Sequence, residues 1–218
     1  MLIVDKDLIQ IPSYGTTIEG IMTVPKQAIG MVLFAHGSGS SRFSRRNNFV
    51  ADRLHSRRIG TLLIDLLTAE EDADFHRRFD IALLTQRLEA ACDWLAQNAR
   101  VSHLPLGLFG ASTGAAAAFR VAAHRRQTIA AVVSRGGRPD LTGSELLQKI
   151  KAPSLFIVGG DDDVVMDLNR QVFKDLHCLK RFEVVHGASH LFEEKGKLEI
   201  VAVLAADWFG TYLLHTHK

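Results

Sequence analysis

A mostly parallel α/β sheet with helices on both faces is the fold class this sequence predicts, and three observations lead to it. From residue 31 onward, short apolar, β-branched runs alternate with longer amphipathic ones. Several of the short runs are apolar almost throughout, as strands buried on both faces are. The two runs before residue 31 alternate in polarity instead and are joined by "SYGT", as an antiparallel hairpin would be.

Taken in order, the predicted strands are 8–12 (LIQIP), 17–24 (TIEGIMTV), 31–36 (MVLFAH), 61–66 (TLLIDL), 106–110 (LGLFG), 129–134 (IAAVVS), 154–159 (SLFIVG) and 181–186 (RFEVVH). Helix candidates cover about 45–58, 79–98, 113–125, 143–150, 167–176 and 197–214. Parallel strands joined through helices make right-handed crossovers. The polar stretch "TAEEDADFHRRFD" (68–80) follows a strand and is expected to be a loop. No internal repeat, low-complexity tract or Pro/Gly-rich linker interrupts the 218 residues, and the length suits one domain over 1–218.

Composition excludes several function classes. The 26 basic and 24 acidic residues are spread along the chain and give a net charge of +2, so no nucleic-acid partner is expected. No apolar run approaches the roughly 20 residues of a membrane span. The N-terminus carries acids among its apolar residues and lacks the pattern of a secretory leader. Cys92 and Cys178 both fall in apparent helices, which gives no disulfide framework and makes the cytoplasm the expected compartment.

Ligands of open α/β sheets bind beyond the carboxyl ends of the strands, and four such ends here are chemically loaded. Gly110, Ser112 and Gly114 form G-x-S-x-G between the strand 106–110 and the helix 113–125. A nucleophile elbow is a strained strand-to-helix turn that needs small neighbours, and Ala111 and Ala115 supply them as well. The competing explanation makes Ser112 a helix N-cap, a role serine favours.

A serine hydroxyl needs a general base, and the base needs a carboxylate to orient it. On this architecture they follow in the order Ser, acid, His. Asp161, Asp162 and Asp163 follow the strand 154–159, and His190 lies in "GASHLFEE" after the last strand. The residues alone leave the acid open among the three aspartates, which also suit a turn. Three consecutive Asp side chains do not converge on one centre, so no metal is expected. His190 is preferred to His186, because His186 still follows the strand direction whereas His190 has a loop's reach. His55, His76, His124 and His177 fall on polar helix faces or loops, and His215 and His217 lie in the C-terminal tail.

Acyl transfer also needs backbone N–H groups aimed at the developing oxyanion. "HGSGSS" (36–41) and the elbow nominate Ser38 and Thr113, with Gly39 as the alternative to Ser38. His36 is expected to hold this loop by hydrogen bonds. The segment lacks both the Lys-Ser/Thr ending of a P-loop and the spacing of a dinucleotide site.

With "HGSGSSR", "GASTGAAAA", "SRGGRPDL" (134–141), "VGGDDDVV" and "GASHLFEE" in view, the chain resembles the α/β-hydrolase superfamily, in its dienelactone hydrolase-like branch. It looks particularly like the hydrolase module that some bacteria fuse to a phosphoribosyltransferase domain. The resemblance implies an α/β-hydrolase fold with an eight-stranded, mostly parallel sheet and an antiparallel N-terminal hairpin. The family's acid spacing, G-x-x-D-x-x-V, falls on Gly159, Asp162 and Val165 and so implies Asp162. The dienelactone hydrolases that name the branch use cysteine as nucleophile, whereas this elbow holds Ser112. A Ser112-His190-Asp162 esterase without cofactor is therefore expected.

"RGGRPDLTG" (135–143) is too short for a cap domain, so the site should be open and suit small or accessible ester substrates. Arg42, Arg135 and Arg138 stand at strand ends and are candidates for binding an anionic substrate. Alternatively they brace the rim against Asp140 or the acids of 68–80. The rival functions are an acyltransferase using the same triad and a non-catalytic binding module. The expected assembly is a monomer or homodimer.

Overall fold

The computed structural model describes residues 4–214; His215 and His217 lie outside the described residues. Eight strands form one sheet: β1 (Val4–Ser13), β2 (Thr16–Pro25), β3 (Gly30–Ala35), β4 (Ile59–Ile64), β5 (Leu106–Ala111), β6 (Ile129–Arg135), β7 (Ser154–Gly159) and β8 (Lys180–Val185). Their spatial order is β1-β2-β4-β3-β5-β6-β7-β8. β1 and β2 pair antiparallel, β2 meets β4 antiparallel, and every later pair is parallel. The helices are α1 (Arg45–Ser56), α2 (Ala69–Ala73), α3 (Ile81–Gln97), α4 (Thr113–His124), α5 (Ser144–Leu147), α6 (Asp163–Asp175) and α7 (Lys197–Tyr212).

The hairpin is longer than the apolar runs that announce it. Tyr14 and Gly15 both take positive φ, 44° and 81°, and make a two-residue turn from which pairing continues out to Val4 opposite Pro25. Backbone pairing rather than side-chain polarity sets that length. The stretch 68–80, expected to be a loop, contains helix α2 and a 3₁₀ turn at Arg77–Phe79. Thr68 accepts from the Glu71 N–H at 3.2 Å while Glu71 accepts from the Thr68 N–H at 3.0 Å. This capping box satisfies the donors that a polar segment would otherwise leave to water. The helix expected over 143–150 shortens to α5, and α6 begins at Asp163 rather than near 167.

Helices cover both faces. Leu84 and Leu88 of α3 and Ala116 to Phe119 of α4 pack on one side, while Val50 and Leu54 of α1 and Ala205 and Phe209 of α7 pack on the other. The alanine run lets α4 lie close to the sheet, and Phe119 fills the space beyond it against Phe156, with ring centroids 5.4 Å apart. Burying one such ring contributes about 2–3 kcal/mol. Between β6 and β7 the chain has only a 3₁₀ turn (Pro139–Thr142) and α5, with no cap domain. Among the described residues no helix is long and apolar enough to cross a membrane.

The parallel strands spread in both directions from β3, with β4 on one side and β5 on the other. Open α/β sheets place their ligands at such a reversal, beyond the carboxyl ends of the strands on either side of it.

Candidate active site

Ser112 is the single residue between β5 and α4, at φ 50° and ψ −123°. A side chain in that region costs on the order of 1–3 kcal/mol and persists only where its surroundings over-determine it. Here its N–H donates to the Arg135 carbonyl at 3.3 Å, and its carbonyl accepts from the Arg138 N–H at 3.0 Å and the Ala115 N–H at 3.1 Å. Sterics complete the hold. A Cβ on Gly110 would stand 2.4 Å from the Ala115 Cα, and one on Gly114 2.3 Å from the Ala35 carbonyl oxygen. β5, α4 and the end of β3 thus meet where only hydrogens fit. The Ser112 side chain makes no capping hydrogen bond to α4.

The loop after β3 passes directly over the serine. A Cβ on Gly37 would lie 2.9 Å from the Ser112 Cβ and 3.7 Å from its Oγ. The Ser38 N–H donates to Thr113 Oγ1 at 3.1 Å, which ties this loop to the first residue of α4. The Thr113 N–H belongs to the first helical turn, whose amides have no intrahelical acceptor. His36 holds the loop from behind: Nδ1 lies 2.9 Å from the Gly37 carbonyl, and Nε2 accepts from the Leu66 N–H at 2.9 Å. Burial pushes its pKa down, keeping the ring neutral with the proton on Nδ1.

His190 Nδ1 lies 2.6 Å from Asp162 Oδ2. Asp162 occupies the N-cap position of α6 without capping it, so its carboxylate is left for the imidazole. Asp161 and Asp163 are exposed. The two loops that carry the pair are stitched together: the Gly160 N–H donates to the Val185 carbonyl at 2.9 Å and the Asp161 N–H to the Ala188 carbonyl at 3.0 Å. With Nδ1 donating to the carboxylate, the other ring nitrogen is left to exchange a proton. His186 stands exposed beyond β8, its carbonyl accepting from Lys197 Nζ at 2.7 Å.

Gly136 links this pair to the elbow and was not singled out by its sequence. It has φ +48°, follows the residue whose carbonyl holds the Ser112 amide, and would put a Cβ 3.5 Å from His190 Nδ1 and Cε1. The Gly-Gly doublet directly after a strand was the available signal. Asp65 was also missed, although a lone acid at the end of "TLLIDL" is conspicuous. Its Oδ1 accepts from the Arg42 N–H at 2.6 Å and its carboxylate pairs with the Arg42 guanidinium, which also meets Glu19 at 2.5 Å.

Arg138 grips Asp140 through Nε and Nη2 at 2.9 and 2.8 Å. Arg135 is buried and forms no ion pair among the described residues. A cavity of about 520 Å³ opens beside the Ser40–Ser41 segment, lined also by His36, Arg42, Phe43 and Thr68. Among the described residues no group of three His, Cys, Asp or Glu could hold a metal ion.

Residues 66–210 match the model of the dienelactone hydrolase family. A putative phosphoribosyl transferase of Mycobacterium tuberculosis strain H37Rv is 49% identical over 205 residues, which are 94% of this chain and 46% of that protein. The chain therefore spans about half the length of the curated relatives it matches. The crystal structure of a dienelactone hydrolase from Anabaena variabilis is 48% identical and superposes with a TM-score of 0.93, covering 96% of this chain and 99% of that one. Est1E from Butyrivibrio proteoclasticus, 15% identical with a TM-score of 0.80 over 93% of this chain and 97% of its own, shares the fold.

Proposed function

The chain belongs to the dienelactone hydrolase family, and on that footing we propose that it hydrolyses carboxylic esters through Ser112, His190 and Asp162. Ser112 Oγ attacks the ester carbonyl carbon while His190 takes its proton. Asp162 keeps the imidazole oriented and stabilises the imidazolium. The Ser38 and Thr113 N–H groups hold the oxyanion, the first sharing its proton with Thr113 Oγ1. Collapse of the tetrahedral intermediate breaks the ester C–O bond, and His190 protonates the departing alcohol. Water then attacks the acyl-enzyme with His190 as base, and the acid leaves. No step needs a cofactor.

The observation that carries this reading is the 2.6 Å His190–Asp162 contact, one glycine away from the strand end that clamps the strained Ser112. Hydrolysis is preferred to transfer because the His190 side chain is 37% exposed and water reaches it freely. The phosphoribosyl transferase name belongs to proteins of which this chain matches 46%, and the residues assembled here supply acyl chemistry.

The test pairs p-nitrophenyl acetate and butyrate with a fluorophosphonate probe read by intact mass. The expected result is turnover and one phosphonyl adduct for the wild type, and neither for Ser112→Ala. A folded wild type that shows neither overturns the esterase reading.

A further inference from the structure

We propose that Arg135 anchors an anion site behind the nucleophile, where it takes a carboxylate or a similarly small inorganic anion. Of the three arginines at this edge, Arg42 is held by Asp65 and Glu19 and Arg138 by Asp140. Arg135 differs. It is 7% exposed, its Nε and Nη1 are buried without a hydrogen-bond partner, and no carboxylate of the described residues pairs with it. The charge it feels is of its own sign: Arg46, in the first turn of α1, whose Nη1 is held by Glu193 at 2.6 Å and whose Nε is likewise unpartnered. Burial and Arg46 bring its pKa down to about 10, which leaves it charged at neutral pH.

A buried, uncompensated guanidinium is a costly arrangement that folded proteins avoid unless something neutralises it. A planar anion lying across one edge of the guanidinium supplies the missing charge and an acceptor for Nε or for Nη1, which stand on opposite edges.

The location ties the site to catalysis. Arg135 is the register partner of Ala111, its carbonyl holds the Ser112 amide, and a Cβ on the following glycine would lie 3.5 Å from the His190 ring. Strand alternation puts its side chain on the face of Val133. That layer also contains Ala111, together with Ala188 and Phe192 from either side of His190. The guanidinium therefore enters the layer between the sheet and the histidine loop.

The anion has two possible sources. It is either the free carboxylate of a monoester substrate, an assignment that rests on the esterase reading, or an inorganic or metabolite anion from solution. Two experiments separate them. First, Tm is followed for wild type and Arg135→Met in a zwitterionic buffer as sodium acetate or chloride is added. The expected result is a saturable rise of several degrees for the wild type, none for the variant, and a variant more stable than the wild type at zero added anion. Second, kcat/KM is compared for neutral p-nitrophenyl acetate and anionic mono-p-nitrophenyl succinate. A substrate carboxylate at Arg135 predicts that the anionic-to-neutral ratio falls tenfold or more in Arg135→Met. A free anion predicts an unchanged ratio with the Tm effect intact.

If wild type and variant respond alike to anions and the ratio does not move, the site holds ordered water only and the proposal is overturned. If Arg135→Met does not fold, Arg135→Lys replaces it, since it keeps the charge and loses the fork. Absence of a saturable Tm rise in the wild type then overturns the proposal by itself. The Tm experiment needs no catalysis, and phosphonyl labelling of Ser112 reports on the esterase reading independently.

Discussion

The elbow at Ser112 and the strap at 68–80 flank one loop and are held by opposite means. At the elbow, geometry is set by what is missing: Gly110, Gly114 and Gly37 leave room for backbone to touch backbone. The strap is set by what is present. Thr68 and Glu71 cap each other, Glu71 also accepts from Arg87 at 2.7 Å, and Arg78 Nε donates to the Asp72 carbonyl at 2.6 Å. Phe75 and Phe79 pack against each other at a 50° tilt, ring centroids 4.9 Å apart, while staying exposed. Steric exclusion ignores salt and pH, whereas the Glu71–Arg87 pair responds to pH and the more exposed Arg78–Asp72 pair to salt as well. The corner at Ser112 is thus built from the insensitive material and the rim from the tunable one.

The largest expected effect separates chemistry from architecture within the corner at Ser112. Asp162→Asn should lower kcat on p-nitrophenyl butyrate by about 10⁴-fold while Tm barely moves. A loss under tenfold would mean that a neighbouring aspartate does the orienting.

Next comes the steric hold itself. Gly114→Ala drives a methyl group into the Ala35 carbonyl oxygen and should cost about 3 kcal/mol or more of unfolding free energy. Urea melts at low and high salt should give the same loss; a strong salt dependence would break the contrast drawn above. The strap gives a smaller figure. Thr68→Ala removes one half of the capping box and should cost about 1 kcal/mol, seen as faster proteolysis within 68–80 with activity toward small esters retained.

The smallest effect is a pH dependence confined to the strap. Burial opposes ionisation of Glu71 most strongly, but the Thr68 N–H and Arg87 outweigh it and hold the pKa below 4.5. Because the folded value is the lower one, this stability is fully present above the ordinary glutamate range and is lost as pH falls through the depressed value. Amide protection factors in 68–80, taken relative to the intrinsic exchange rate at each pH, should therefore fall below about pH 4.5, while those of 110–115 hold. An equal fall in both segments would erase the distinction.

The sheet and the elbow were legible in the sequence because both depend on residue type at fixed spacing. Continuous apolar runs can only be buried strands or helices, and small residues on either side of Ser112 match a turn that admits nothing larger. The acid was not legible from chemistry, since Asp161, Asp162 and Asp163 are identical in kind. What separates them is where the chain turns: α6 starts at Asp163, Asp161 faces solvent, and the carboxylate between them meets His190. Helix α2 was legible and missed, because Thr68-x-x-Glu71 carries a capping box that polarity alone disguises as loop. The pairing of Arg138 with Asp140, two residues on, was among the alternatives the sequence offered; the fate of Arg42 was not legible, because Asp65 and Glu19 are brought near it only by the folded sheet.

The hydrogen bond from the Ser112 amide to the Arg135 carbonyl continues the β5–β6 ladder by one rung past the point where the chain turns. The strained serine is therefore tied to the buried central strands of the sheet, the class of element whose opening approaches global unfolding. On this account the elbow is formed once, when the chain folds, and keeps its shape for as long as the central sheet stays closed.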